Sequence, residues 1–124
     1  MNVVDSSAWL EYIDGGPNAK VFAPAIEDVD RLVVPSIVIY EVYRRMLRDR
    51  GVKPALEAAG GMSQGLVVSL DTELALIAAA LGQEHRLPLA DSVIYAVARR
   101  MTATVWTQDE DFEGLDGVRY VPKG

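Results

Sequence analysis

Four carboxylates, Asp5, Glu41, Asp91 and Asp109, each fall where a predicted strand ends or a predicted helix begins. In a wound α/β chain such positions can meet at one edge of the sheet. Two carboxylate charges about 5 Å apart repel by roughly 3 kcal/mol at an effective dielectric of 20, and four of them multiply the cost. A hard divalent cation such as Mg2+ removes that repulsion and is matched to oxygen ligands. Other chemistries are tightly bounded by composition. Cysteine is absent, which excludes disulfides, thiolate nucleophiles and Cys-rich zinc sites and fits a reducing compartment. The single histidine, His85, sits at the expected end of a helix, where a cation suits the dipole, and is assigned a structural role.

With 124 residues, half of them hydrophobic, the chain fits one domain spanning residues 1–124. It contains no apolar run near 18 residues, and Met1-Asn2-Val3-Val4 leads straight into the first expected strand, so a cytoplasmic protein without membrane contact is expected. A net charge of −6 argues against a globally basic surface for nucleic acid. A local basic patch is present nonetheless. Arg44, Arg45, Arg48, Arg50 and Lys53 crowd ten residues against the single acid Asp49, as either a solvated helix face or a surface for phosphate or an acidic partner.

The elements that must position these groups alternate along the chain. Met1 to Val4 is an apolar run ending at Asp5, and Ser6 or Ser7 can cap a helix through Asp14 with Trp9, Leu10 and Ile13 on its inner face. Gly15-Gly16-Pro17 breaks the chain before a short helix over 18–28, with Val21, Phe22 and Ile26 facing inward. Leu32-Val33-Val34 is the second strand. Ser36 is the expected cap of a long helix from Ile37 to about Arg50, closed by Gly51, and a further helix runs from Lys53 to about Ser63. Leu66 to Ser69 is a third strand, and Asp71 caps a helix through Glu84 with Leu74, Ile77, Ala78 and Leu81 on one stripe. After Leu87-Pro88 comes a helix over 89–101, then strands at Thr104 to Thr107 and Val118 to Val121. This order predicts a three-layer α/β/α sandwich around a mostly parallel sheet of four to five strands.

Each acid alone has a plain structural explanation, since Asp after a strand is what an N-cap needs and an acid in a first helical turn favours the dipole. Asp71 is assigned that role only. The joint pattern is more specific. Val3-Val4-Asp5-Ser6-Ser7 opens the chain, Glu41 lies early in the helix after the second strand, Leu89-Ala90-Asp91-Ser92 begins a helix, and Val105-Trp106-Thr107-Gln108-Asp109-Glu110-Asp111 follows the fourth strand. Over essentially its full length the chain resembles the PIN-domain family, and within it the small VapC-type toxins of toxin–antitoxin pairs.

The resemblance implies a metal-dependent endoribonuclease with one or two Mg2+ or Mn2+ ions held by Asp5, Glu41, Asp91 and Asp109, and with Asp111 as a nearby or water-mediated acid. Ser7 and Thr107 match hydroxyl positions that would orient the carboxylates. Ser6 stands where the family often has Thr. A cognate VapB-like antitoxin and a homodimer are implied in the same way. Water activated by a metal needs no ribose 2'-OH, so 5'-phosphate and 3'-hydroxyl ends are expected. For the RNA substrate, Arg86 precedes Asp91 by five residues, and Arg44 and Arg48 follow Glu41 on its helix, so these three are the candidate phosphate contacts.

Two other classes fit a chain of this size. A receiver-like signalling domain would use a phosphoacceptor after the third strand, where Ser69-Leu70-Asp71 stands, but the acid pair expected after its first strand is missing. A PIN-like binding module without catalysis would keep the fold, yet all four acid positions are filled.

Overall fold

Val3 and Val4 project to opposite faces of their strand, and both are fully buried. Apolar layers therefore cover both sides of the sheet at this point, as expected of a parallel sheet enclosed by helices. The computed structural model describes residues 1–124. Five strands, β1 (Asn2–Val4), β2 (Leu32–Pro35), β3 (Leu66–Val68), β4 (Thr104–Thr107) and β5 (Val118–Tyr120), form one sheet in the order β3-β2-β1-β4-β5. Every pairing is parallel, so the sheet is wholly rather than mostly parallel. Six α-helices connect and cover it: α1 (Ser6–Asp14), α2 (Ala19–Glu27), α3 (Ser36–Arg50), α4 (Val52–Met62), α5 (Thr72–His85) and α6 (Leu89–Met101).

The chain winds outward from β1 through β2 to β3, then returns to place β4 on the other side of β1. That reversal makes the β1–β4 boundary the switch point, where neighbouring strand ends open a crevice. Val4 pairs with Trp106, and the Asp5 backbone N–H continues the ladder by donating to the Trp106 carbonyl at 3.1 Å. Asp5 and the residues after Thr107 consequently leave the sheet side by side.

Several local expectations are corrected. Asp5, not Ser6 or Ser7, is the N-cap of α1, because its extended backbone and short carboxylate reach the Ala8 N–H. Ser36 does not cap α3; it is the first helical residue, and Pro35 occupies the cap position without a side-chain bond. Val21 is 41% exposed, and α2 buries Phe22, Ala25 and Ile26 at the i, i+3, i+4 spacing of a helical face. On α5 only Leu74 and Ala78 are buried, with Ile77 and Leu81 half-buried against the core. The third and fifth strands each stop one residue early, at Val68 and Tyr120. Asp71 caps α5 as expected, accepting from the Leu74 N–H at 2.8 Å.

The α5–α6 contact is tight because residue 82 has no side chain: a Cβ there would lie 2.4 Å from Ser92 Oγ. Ser92 in turn bonds the carbonyls of Leu87 and Pro88, and α6 is buried continuously from Ser92 to Ala98. This packing holds the first turn of α6, and Asp91 with it, against the sheet end. No helix is long and apolar enough to cross a membrane.

Candidate metal centre

Asp5 is 2% exposed, so its carboxylate must satisfy its lone pairs inside the protein. Oδ1 accepts from the Ala8 N–H at 3.0 Å and from Ser7 Oγ at 2.7 Å, and Oδ2 accepts from Thr107 Oγ1 at 2.6 Å. The Thr107 hydroxyl also accepts from the Asp109 N–H at 2.8 Å, so one buried oxygen fixes both acids of the crevice. Ser7 Oγ accepts from the Gln108 N–H at 3.3 Å and completes the link. Burial raises the Asp5 pKa from 3.8 to about 6 against the pull of these hydrogen bonds, with a further push from the Asp109 charge.

Asp109 caps the short 3-10 turn Glu110–Phe112, accepting from the Asp111 N–H at 3.0 Å. That turn brings Asp111 back beside it. Asp91, in the first turn of α6, completes a group in which one oxygen from each of Asp91, Asp109 and Asp111 lies within 4.8 Å of the others. Asp91 is held well above the ordinary carboxylate range, first by burial, then by the charge of Asp109 and by a hydrogen bond shared with it, then by Asp5 and Asp111. Glu41 is half-buried on α3, where Ser6 Oγ donates to its Oε1 at 3.0 Å; burial and the Asp109 charge raise its pKa. Asp109 is thus the charge that Asp5, Glu41 and Asp91 all feel.

None of these five acids pairs with a lysine, arginine or histidine; every ion pair of the chain lies elsewhere. A converging set of carboxylate oxygens without a cationic side chain fits a hard divalent cation and little else. The tightest grouping differs from the expected quartet. It contains the exposed Asp111, while Asp5 and Glu41 lie outside this closest group and are tied to it through the Asp109 charge.

The sequence pattern of the PIN domain matches residues 3–118. The chain belongs to the PIN-domain family. This PIN domain is similar in structure to a toxin–antitoxin complex from Klebsiella pneumoniae, with a TM-score of 0.81, 22% identity and 96% of each chain covered. It is also similar to Mycobacterium tuberculosis VapC20, a sarcin-ricin loop cleaving toxin, with a TM-score of 0.78, 20% identity, and 95% and 97% of the two chains covered. A third similar structure is VapBC2 from Rickettsia felis bound to a DNA fragment from its promoter, with a TM-score of 0.73, 12% identity, and 98% and 97% covered. At these identities the likeness establishes the shared fold. No curated protein sequence matches the chain.

The PIN domain places the candidate arginines unequally. Arg44 and Arg48 line a groove of about 550 Å3 with Glu41 and Ser6, next to the acids. Arg86 is the αL residue closing α5, and it lines neither that groove nor the acidic one formed by Asp109, Glu110 and Asp111. His85 stacks edge-on against Tyr95 at 5.6 Å, in keeping with a structural role. Asp71 is ion-paired with Arg100 at 3.5 Å while capping α5, which leaves it no role as a free phosphoacceptor. Among the aromatic side chains, Trp9 is buried, Tyr12, Tyr43 and Trp106 are half-buried, and Tyr40 is 57% exposed.

Three contributors escape a reading of the sequence. Ser6 holds Glu41 across 35 positions, which no local pattern reveals. Gln108, 8% exposed, accepts from Asn18 Nδ2 at 2.9 Å, and the same amide reaches the Pro122 carbonyl, so the loop after β4 is pinned to the start of α2. Asn next to a helix-breaking Gly-Gly-Pro was legible only as a turn residue.

Proposed function

We propose that this PIN domain is a VapC-type toxin, a Mg2+-dependent endoribonuclease that hydrolyses RNA phosphodiesters, with Mn2+ able to substitute. The observation that carries the reading is the grouping of Asp91, Asp109 and Asp111, with Asp5 and Glu41 feeling the same Asp109 charge and no cationic side chain paired with any of the five. Asp5, Asp91, Asp109 and Glu41 would hold one or two ions, and Asp111 would reach them directly or through water. A divalent ion held by these acids would supply an activated water and offset charge developing on phosphorus.

The protein's own groups prepare that chemistry. Thr107 and Ser7 hold the Asp5 carboxylate in one orientation, and Ser6 does the same for Glu41. Raised pKa values at Asp5, Glu41 and Asp91 mean that an arriving cation must displace protons held there, so its binding would release protons and tighten as pH rises. No histidine or cysteine is needed, and hydrolysis by water leaves 5'-phosphate and 3'-hydroxyl ends. The similar structures that are toxin–antitoxin assemblies support a small antitoxin as partner, and homodimerisation and a cytoplasmic setting belong to the same proposal.

The test is cleavage of RNA by the purified protein with Mg2+, with EDTA and with Asp5→Asn or Asp91→Asn, followed by analysis of the ends. Cleavage that survives EDTA and both substitutions, or that yields 2',3'-cyclic phosphates, would overturn the mechanism.

A further inference from the structure

We infer that Tyr40 and Arg44 form a subsite for one unpaired nucleotide of the substrate, the ring stacking on the base and the guanidinium meeting the adjacent phosphate. The inference rests on the ribonuclease reading and adds to it a preference for single-stranded RNA beside the acids.

Tyr40 carries one of the larger exposed apolar surfaces of the chain, at 57%, and it does not stand in isolation. It lines the 550 Å3 groove together with Glu41, the acid that feels the Asp109 charge, and that volume is within the range of small-ligand clefts. Arg44, one helical turn onward, donates from Nη1 to Tyr40 Oη at 3.2 Å, which orders both side chains along the groove wall.

The three arginines of the groove are not equivalent. Arg45 and Arg48 both grip Asp49, at 2.8 and 2.9 Å, so much of their charge is already balanced. Arg44 bonds only a neutral phenol and keeps its full positive charge. A groove bearing one unbalanced cation, two partly balanced ones and an aromatic face suits an anion attached to a flat ring. A nucleotide supplies both. Bases in a duplex are already stacked on their neighbours, so an exposed ring can be used only by a base that is free to splay out. Arg48 lies about 10 Å beyond Glu41 along the helix axis, so the backbone can follow the groove away from the acids.

The test uses the full chain carrying Asp91→Asn, which removes cleavage, with Mg2+ present. The probe is a seven-nucleotide single-stranded RNA containing one 2-aminopurine, whose fluorescence falls on stacking. Tyr40→Leu is expected to abolish the quenching and weaken binding roughly 5- to 100-fold, the range for loss of one base–aromatic stack. Tyr40→Phe is expected to restore both. Arg44→Ala is expected to weaken binding and reduce its salt dependence by about one charge. Binding of a blunt duplex of the same sequence should be indifferent to Tyr40→Leu.

Unchanged quenching and affinity in Tyr40→Leu would overturn the subsite, as would an equal loss for single-stranded and duplex RNA. Retained RNA binding in Tyr40→Leu, with loss of a Glu-rich peptide's binding in Arg44→Ala, would assign the groove to a protein partner instead. Failure of the unmutated protein to cleave RNA with Mg2+, with Tyr40-dependent quenching intact, would sink the ribonuclease reading and leave the subsite standing.

Discussion

The carboxyl groups of Asp91 and Asp109 stand close enough to share a hydrogen bond, which two carboxylates can do only when one of them holds a proton. Asp91 accepts from no other donor, whereas Asp5 accepts from three. The two acids therefore answer differently to substitution. Asp91→Asn removes a carboxyl whose charged form nothing in the metal-free protein stabilises, so its melting temperature without metal should rise at high pH, where Asp91 would otherwise ionise, while RNA cleavage is lost. Asp5→Asn keeps the helix cap, since Asn caps as well as Asp, and should lose activity, with relief of the buried charge above pH 6 offsetting the loss of the Thr107 hydrogen bond. A large drop in melting temperature for Asp91→Asn would return that residue to a structural role.

Stability without metal should fall as pH rises. Asp5 has a folded pKa of about 6 against 3.8 when unfolded, so between these values the folded state binds the extra proton. The unfolding free energy then decreases with increasing pH. Asp5 alone contributes a loss of about 3 kcal/mol, complete above pH 6. Asp91 extends the decline to higher pH, because its pKa is also raised. Melting curves in EDTA from pH 4.5 to 8 should show this slope, Mg2+ should remove it, and Asp91→Asn should reduce it. A melting temperature that climbs with pH in EDTA would contradict the charge balance described for the crevice.

Thr107→Val keeps the shape of a buried side chain and deletes the hydroxyl that serves two acids at once. The expected cost is about 1–3 kcal/mol of stability, because the Asp109 N–H loses its acceptor and Asp5 loses a donor. Metal affinity should fall roughly 10- to 100-fold. Calorimetric titration with Mn2+ measures the second effect separately from the first.

Ser6→Ala should act through Glu41. Its removal leaves Glu41 without a donor, at a stability cost of at most about 1 kcal/mol in this half-buried setting. If the hydroxyl works only by orienting that carboxylate, Ser6→Ala and Glu41→Gln will be strongly non-additive in cleavage rate. Additive losses would show that Ser6 acts elsewhere.

Arg44→Ala should lower the salt dependence of RNA binding, and Arg86→Ala should leave it unchanged. Arg44 shares a groove with Glu41, and Arg86 lies at the far end of α5 outside it. Binding isotherms between 50 and 200 mM salt distinguish the two, with an unchanged slope for Arg44→Ala removing it from the substrate path.

The strand–helix alternation and the positions of Asp5, Asp91 and Asp109 were legible because each rests on a local signal: an apolar run, a break, then an acid. Asp71 was correctly read as a cap for the same reason. The errors are also local, since Asp and Ser in succession both suit an N-cap, and only the geometry shows that Asp5 takes the position. What stayed hidden is whatever depends on distant partners. The Ser6–Glu41 bond and the Asn18–Gln108 tether are set by strand order, which periodicity does not encode. Arg86 is suggested by nearness in sequence to Asp91, and it lines neither groove beside the acids.

The placement of β1 between β2 and β4 also governs the order in which the acidic centre can be assembled. Asp5 and Thr107, whose side chains bond directly, are separated by 102 positions and meet only through the pairing of β1 with β4. Until β4 inserts beside β1, the folding chain holds at most Asp5, Glu41 and Asp91 without their common neighbour. The centre is thus closed by the last strand pairing it depends on, and not by any local segment that carries one of its acids.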